Sequence, residues 1–168
     1  VTQGTELKPI ISTSWDQERV TPYSYYVQIA DNTIDVSLAV SHQSAIYDFE
    51  FSNPDQPATV ILCSDNGKMN AQGSHAEGYQ QLSSSMRIFF SGEFSVKPIE
   101  CGVLRDGDIQ SGQARAEGRQ ASVAFRFPAG TRKVSLRYGI SLIGETQASH
   151  NLAREQKGFN RLAVEKKG

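Results

Sequence analysis

The chain has 168 residues, enough for one ordinary domain with a core that needs no disulfide or metal to hold it. Its 17 basic residues nearly balance its 18 acidic ones, for a net charge of −1, so neither a nucleic-acid footprint nor a polybasic membrane patch follows. The longest apolar runs, residues 59–63 and 87–90, fall far short of the ~20 residues a membrane helix requires.

The chain opens on Val1 without a signal peptide, which says nothing about the parent protein. The first clear element is Tyr25 to Ile29, rich in aromatic and β-branched residues. A turn cluster follows at residues 30–33. Ile34, Val36, Leu38 and Val40 then alternate with polar or small residues, the period-two pattern of a strand with one buried face. The two segments read as a hairpin. Ala45 to Phe51 predicts a third strand, with Tyr47, Phe49 and Phe51 on its inner face.

Asn53-Pro54-Asp55 breaks the chain, and Ala58 to Ser64 is a near-continuous apolar strand of the kind buried at the centre of a sheet. Asp65-Asn66-Gly67-Lys68 predicts a turn. Residues 69–84 read as a polar loop with a weak strand at Gly78 to Leu82. Further strands are expected at Ser85 to Phe94, Val96 to Leu104, Gln120 to Phe127 and Lys133 to Ile143, with a turn at Asp106-Gly107-Asp108 and a polar stretch from Gly112 to Gly118. Eight or nine short strands without interleaved helices point to an all-β, antiparallel β-sandwich.

The pattern changes at Glu145. Ala148, Leu152 and Ala153 recur at helical spacing, predicting a helix from about Gln147 to Lys157, with Thr146 as N-cap and Gly158 as the C-terminal stop. Phe159, Leu162 and Val164 suggest a second helix cut short at Glu165-Lys166-Lys167-Gly168. The expectation is that these apolar residues pack against a body outside this sequence.

The residues from Lys133 through Gly139-Ile140-Ser141 to Gln147-Ala148, Asn151-Leu152 and Glu155 resemble the end of the N-terminal domain of family 92 glycoside hydrolases, where a final Gly-Ile-Ser strand leads into a linker helix carrying Gln-Ala, Asn-Leu and Glu. Glu18 to Tyr26 resembles that family's Glu-x-Ala-x-Pro-Gly-Tyr-Tyr segment. Val27 to Leu38 is similar to its next strand pair. Gly78-Tyr79 through Phe89-Phe90 to Phe94-Ser95 is similar in its aromatic pair and trailing Phe-Ser. The likeness runs from about Glu18 to the C-terminus. Thr-x-Arg and His-Arg-x-x-Phe-Pro are missing between Ala39 and Phe51, Tyr23-Ser24 replaces a glycine, and the Asn-Thr-Phe-Pro-Gly opening is absent, so the chain reads as divergent and partial.

The resemblance implies a galactose-mutarotase-like supersandwich over residues 1–144. Residues 145–168 would then be a linker helix leading to an absent (α/α)6 helical catalytic domain. It further implies calcium-dependent, inverting exo-α-1,2-mannosidase activity in the full-length enzyme, α-mannose-containing glycans as substrates, and a periplasmic or extracellular location. Inversion needs a carboxylic acid and a carboxylate roughly 6.5–9.5 Å apart. In the family both carboxylates and most calcium ligands lie on the helical domain, so no catalytic residue, metal ligand or cofactor is assigned to this chain. A freestanding carbohydrate-binding or adhesive β-sandwich is the alternative. A mutarotase-like epimerase would need a paired acid and base, and none stands out.

Among individual residues, Trp15 and Tyr23 are the candidates for stacking on a sugar, because both are expected in loops, whereas Tyr25 and Tyr26 read as strand residues facing opposite ways. Asp106-Gly107-Asp108 lacks the oxygen ligands of a calcium loop and reads as a solvated turn. His42, His75 and His150 have no ligand spacing, and Cys63 and Cys101 read as free thiols, with pairing left open. Arg137 and the Ser149 to Asn151 region read as interdomain or capping features. No serine elbow is present.

Overall fold

Two unusually long strands run side by side and organise the fold: β6 (Ala58–Gln72) and β11 (Arg115–Arg126) pair antiparallel from Thr59↔Arg126 to Asn70↔Arg115. The computed structural model describes residues 1–3, 7–8, 13–30, 33–53 and 55–166. The other strands are β1 (Thr2–Gln3), β2 (Trp15–Val20), β3 (Ser24–Ile29), β4 (Ile34–Val40), β5 (Ser44–Phe51), β7 (His75–Gln81), β8 (Arg87–Phe94), β9 (Glu100–Arg105), β10 (Asp108–Gln110) and β12 (Lys133–Ser141). They form one antiparallel sheet in the order β10-β9-β11-β6-β7-β8-β12-β5-β4-β3-β2, with β1 added beside β6.

That sheet folds over on itself. Of β11 only the C-terminal part pairs with β9, and of β6 only the C-terminal part pairs with β7. Between these regions Gly118 and Gln120 take left-handed φ values of 107° and 53°. One half of the long pair therefore belongs to a small layer with β1, β9 and β10. The other half leads into a large layer of β7, β8, β12, β5, β4, β3 and β2. The layers meet at Phe94 of the large layer, whose ring centroid lies 4.6 Å from Phe125 and 5.4 Å from Phe127. Ile34, Val36, Phe49, Phe51, Val60, Val123, Val134 and Leu136 complete this buried core. The molecule is an antiparallel β-sandwich, as the strand periodicity predicts.

The predicted turn at Asp65 to Lys68 does not exist. β6 passes straight through it, because β11 and β7 supply ladder partners on both sides: Asn66 pairs with Arg119, and Gly67 with Gly118 and Gln80. Most of the expected loop after Met69 is strand for the same reason, and so is the polar stretch from Arg115 on, while residues 112–114 lie outside the strands. Two turn predictions, at residues 31–32 and at Pro54, lie outside the described residues. Asp106-Gly107 is a tight hairpin turn between β9 and β10. Both residues have positive φ, 53° and 84°, the geometry that matches strand twist. Cys63 and Cys101 are free thiols on the opposite faces of their strands, Cys63 accepting a hydrogen bond from Ser122 and Cys101 packing in the core.

Helix α1 (Glu145–Glu155) starts one residue before the predicted Thr146 cap, from Gly144, and ends at Gln156 rather than reaching Gly158. Helix α2 (Arg161–Glu165) is capped by Asn160, whose Oδ1 accepts from the Ala163 N–H at 3.1 Å. The expectation that the tail awaits an outside body is corrected here. Ala148 and Leu152 are buried against β12 and β8, Val164 is buried with Ala39 and Ile46, and Phe159 stacks under the Arg137 guanidinium at 5.0 Å. Ala148, Leu152 and Val164 are thus covered by the chain's own sheet, while Ala153, Leu162 and Ala163 stay exposed.

Candidate functional site

The Gln-Ala, Asn-Leu and Glu pattern acts as a latch that holds α1 on the sheet. Gly139 of β12 provides the seat: a Cβ there would sit 2.3 Å from the Ala148 carbonyl oxygen and 2.7 Å from the Leu152 nitrogen. Only a residue without a side chain lets the helix backbone come so close. Gln147 donates to Asn151 Oδ1 at 3.0 Å, and the buried Asn151 amide donates to the Ile140 carbonyl at 2.9 Å. Burial pushes the Glu155 pKa up, but hydrogen bonds from the Gln43 N–H at 3.0 Å and the Ser44 hydroxyl at 2.9 Å, with further ones from Arg154 and Ser41, outweigh it and hold the carboxyl below its usual value. Arg137 reaches Glu93 and the Gln156 carbonyl, so it is an internal tie. Asp48, buried under α2, is satisfied by the Ser135 hydroxyl at 2.6 Å, Lys133 at 3.0 Å and Arg161 at 3.3 Å.

The two sugar-stacking candidates are far apart. Trp15 is not in a loop. It opens edge strand β2 opposite Ile29 and is 65% exposed. Tyr23 does lie in a turn, 45% exposed, at the other end of the β2–β3 hairpin. Five strand residues separate the two ends, roughly 16 Å, so the two rings form no common platform. Tyr25 faces inward and Tyr26 outward, as predicted. Tyr26 donates to Asp35 Oδ1 at 2.8 Å, and the Arg19 guanidinium covers its ring at 4.4 Å.

Sequence reading missed the main surface feature, an apolar rim at one end of the large layer. Antiparallel pairing brings the β2–β3 turn, the β4–β5 turn, the β7–β8 turn and the β12–α1 corner to this same end. Val20 (71% exposed), Tyr23, Leu82, Met86, Leu142 and Ile143 (82% exposed) all lie along it. These are six of the nine large hydrophobic side chains exposed among the described residues. Behind the rim, the inner face carries half-buried Leu38, Tyr47, Phe90, Tyr138 and Ile140. Tyr47 and Tyr138 stack with centroids 6.0 Å apart and planes 15° from parallel. Burial pushes the Tyr138 pKa up to about 12 and raises that of Tyr47. Neither hydroxyl has a hydrogen-bond partner among the described residues. The exposed apolar side chains gathered on this end make it a candidate interaction surface.

His42 lies in the β4–β5 turn, His75 at the start of β7 and His150 on α1, so the fold does not gather them. Among the described residues no three His, Cys, Asp or Glu side chains are placed to hold a metal ion.

The sequence matches the model of the glycosyl hydrolase family 92 N-terminal domain over residues 4–141. The chain belongs to this family. No curated protein sequence matches. Among solved structures, the fold is similar to a family GH92 inverting mannosidase from Bacteroides thetaiotaomicron VPI-5482, at 22% identity and a TM-score of 0.84, over 99% of this chain and 24% of that one. It is also similar to a family GH92 alpha-mannosidase from Bacteroides thetaiotaomicron, at 19% identity and a TM-score of 0.79, over 98% of this chain and 26% of that one. At these identities the likeness shows the fold. The chain spans about a quarter of the length of the family 92 structures it matches. The family match stops at the last residue of β12, while the structural likeness extends into the latched tail.

Proposed function

We propose that this family 92 domain is the non-catalytic β half of an inverting exo-acting α-mannosidase, and that its apolar rim seats a helical catalytic domain of the same polypeptide. The observation that carries the reading is the gathering of Val20, Tyr23, Leu82, Met86, Leu142 and Ile143 at one end of a domain whose family is that of glycosyl hydrolases. Such a rim is costly to leave in water at roughly 25 cal/mol per Å² of apolar surface, and cover by a second domain removes that cost.

Hydrolysis with inversion requires an acid to protonate the leaving oxygen and a base to activate water on the opposite face of the sugar. In this reading both carboxylates, and the calcium that acts with them, belong to the helical domain. The β half frames the substrate cleft and holds α1 in a fixed direction through the Gly139 seat and the Asn151 and Glu155 bonds. Tyr23 then meets the glycan at the margin of the covered rim, and Trp15, at the other end of the hairpin, is a separate point of contact. A periplasmic or extracellular location goes with a glycan substrate of this kind.

The test has two arms. The 168-residue chain should release no mannose from α-1,2-mannobiose above a buffer blank. The parent polypeptide should release it with inverted anomeric configuration, and Ile143→Asp in that polypeptide should lower turnover while the β domain stays folded. Turnover by the isolated chain, or a parent polypeptide without a second domain, overturns the proposal. The latter outcome leaves a freestanding glycan-binding module in its place.

A further inference from the structure

At the end of the large layer away from the apolar rim, the outer face holds a depression of about 490 Å³. Its floor comes from three neighbouring strands. β6 contributes Asn70 and Gln72, β7 contributes His75 and Glu77, and β8 contributes Ser91. The register places them on one face, since Asn70 lies opposite Glu77, Gln72 opposite His75, and Glu77 opposite Ser91. Ser149 on α1 forms one wall, so the latch that seats the helix also shapes the depression.

The size suits a small ligand, but the lining is unlike the mostly apolar walls of ordinary small-molecule sites. Every lining side chain except that of Ala76 is polar. Asn70 donates to Glu77 Oε1 at 3.2 Å, which fixes both. The side chains of Gln72, His75, Ser91 and Ser149 make no hydrogen bond or ion pair with any described residue. Four unengaged polar groups thus converge on one depression.

The donor set narrows the ligand class. No lysine or arginine lines the depression, so nothing there balances a phosphate or a carboxylate. No metal-holding group exists among the described residues. Amide and hydroxyl side chains each donate and accept, and they match a ligand whose own hydroxyls do both. We infer that this depression binds a neutral sugar residue of a glycan chain. It lies opposite the rim, so it stays open when a second domain covers the rim, and it holds part of the glycan that the reaction does not cleave. That the sugar is an α-mannoside rests on the proposed function. The neutral-sugar chemistry rests on the lining alone.

The experiment is a titration of this chain with α-1,2-mannobiose, xylobiose and maltose, followed through backbone amide NMR resonances. Mannobiose should shift the resonances of Gln72, His75, Ser91 and Ser149. Gln72→Ala and Ser149→Ala, both at exposed positions, should each weaken that response about fivefold, the effect of one lost hydrogen bond. A response at these residues to xylobiose or maltose but not to mannobiose keeps the sugar site and overturns its mannoside assignment. No shift at these residues with any of the three sugars, or shifts confined to other parts of the chain, overturns the site itself.

Discussion

Replacing Gly139 with alanine tests the latch directly. The new Cβ would sit 2.3 Å from the Ala148 carbonyl oxygen, 2.7 Å from the Leu152 nitrogen and 3.0 Å from the Leu152 Cβ. Ordinary van der Waals contact starts near 3.4 Å, so α1 has to retreat by about 1 Å. The two nearest of these atoms are backbone, and no side-chain rotation relieves the overlap. Overpacking of this kind costs about 1–3 kcal/mol. The retreat also stretches the bond from the Asn151 amide to the Ile140 carbonyl, which lies in a buried setting, for about 1–3 kcal/mol more. Part of this is shared with the packing term, so the expected total is roughly 2–4 kcal/mol. In a domain of this size that lowers Tm by roughly 5–12 °C. Gly158→Ala is the control, because a Cβ there meets nothing within 4 Å. Urea unfolding gives the stability change, and amide hydrogen exchange across residues 145–155 shows whether the helix loosens. If Gly139→Ala leaves both the unfolding midpoint and the α1 protection at wild-type values, the close seating of the helix on β12 is wrong.

The titrating groups give two further outcomes. The Glu155 carboxyl is held below its usual pKa, so its contribution is fully present above the unfolded value near 4.5 and is lost as pH falls through the lowered folded value. Acid unfolding should therefore be steeper in the wild type than in Glu155→Gln, and parallel acid limbs for the two proteins would contradict the Gln43 and Ser44 bonds to this carboxylate. Tyr138 shifts the other way. Burial favours its neutral form, so the unfolded chain loses the proton first and stability falls as pH rises from about 10 through about 12. Tyr138→Phe should flatten that alkaline limb, and an absorbance titration should lose one late-ionising tyrosine. A wild-type titration in which all tyrosines ionise together near pH 10 would refute the half-buried Tyr47–Tyr138 stack.

The local grammar of the chain was legible in advance where a strand lays every second residue on the core. The inner faces of Ile34 to Val40, Ala45 to Phe51 and Lys133 to Ser141 were read correctly, while the burial of Ala39, Ile46 and Asp48 under α2 on the opposite face was not. The helix after Gly144 and the family were legible too, the family through the order of several weak motifs rather than any one of them. Reading failed where a distant partner overrode a local signal. Asp65-Asn66-Gly67-Lys68 has the composition of a turn, yet β11 pairs with Asn66, Gly67 and Lys68, β7 pairs with Gly67 and Lys68 from the other side, and the strand continues through it. Trp15 looked like a loop residue because edge strand β2 is exposed along its whole length and so carries no period-two pattern.

The tail shows the same division most clearly. The spacing of Ala148 and Leu152 announces an apolar helix face, but spacing is blind to what lies beneath it. Gly139, nine residues upstream of Ala148, supplies the seat. The gathering of Leu82, Met86, Leu142 and Ile143 into one rim, and of Gln72, His75, Ser91 and Ser149 around one depression, depends on strand register across the whole sheet. Side-chain periodicity is a property of neighbours along the chain, so one sequence carries it. Convergence of residues tens of positions apart is set by which strands pair and where the sheet bends, and only the folded molecule decides that.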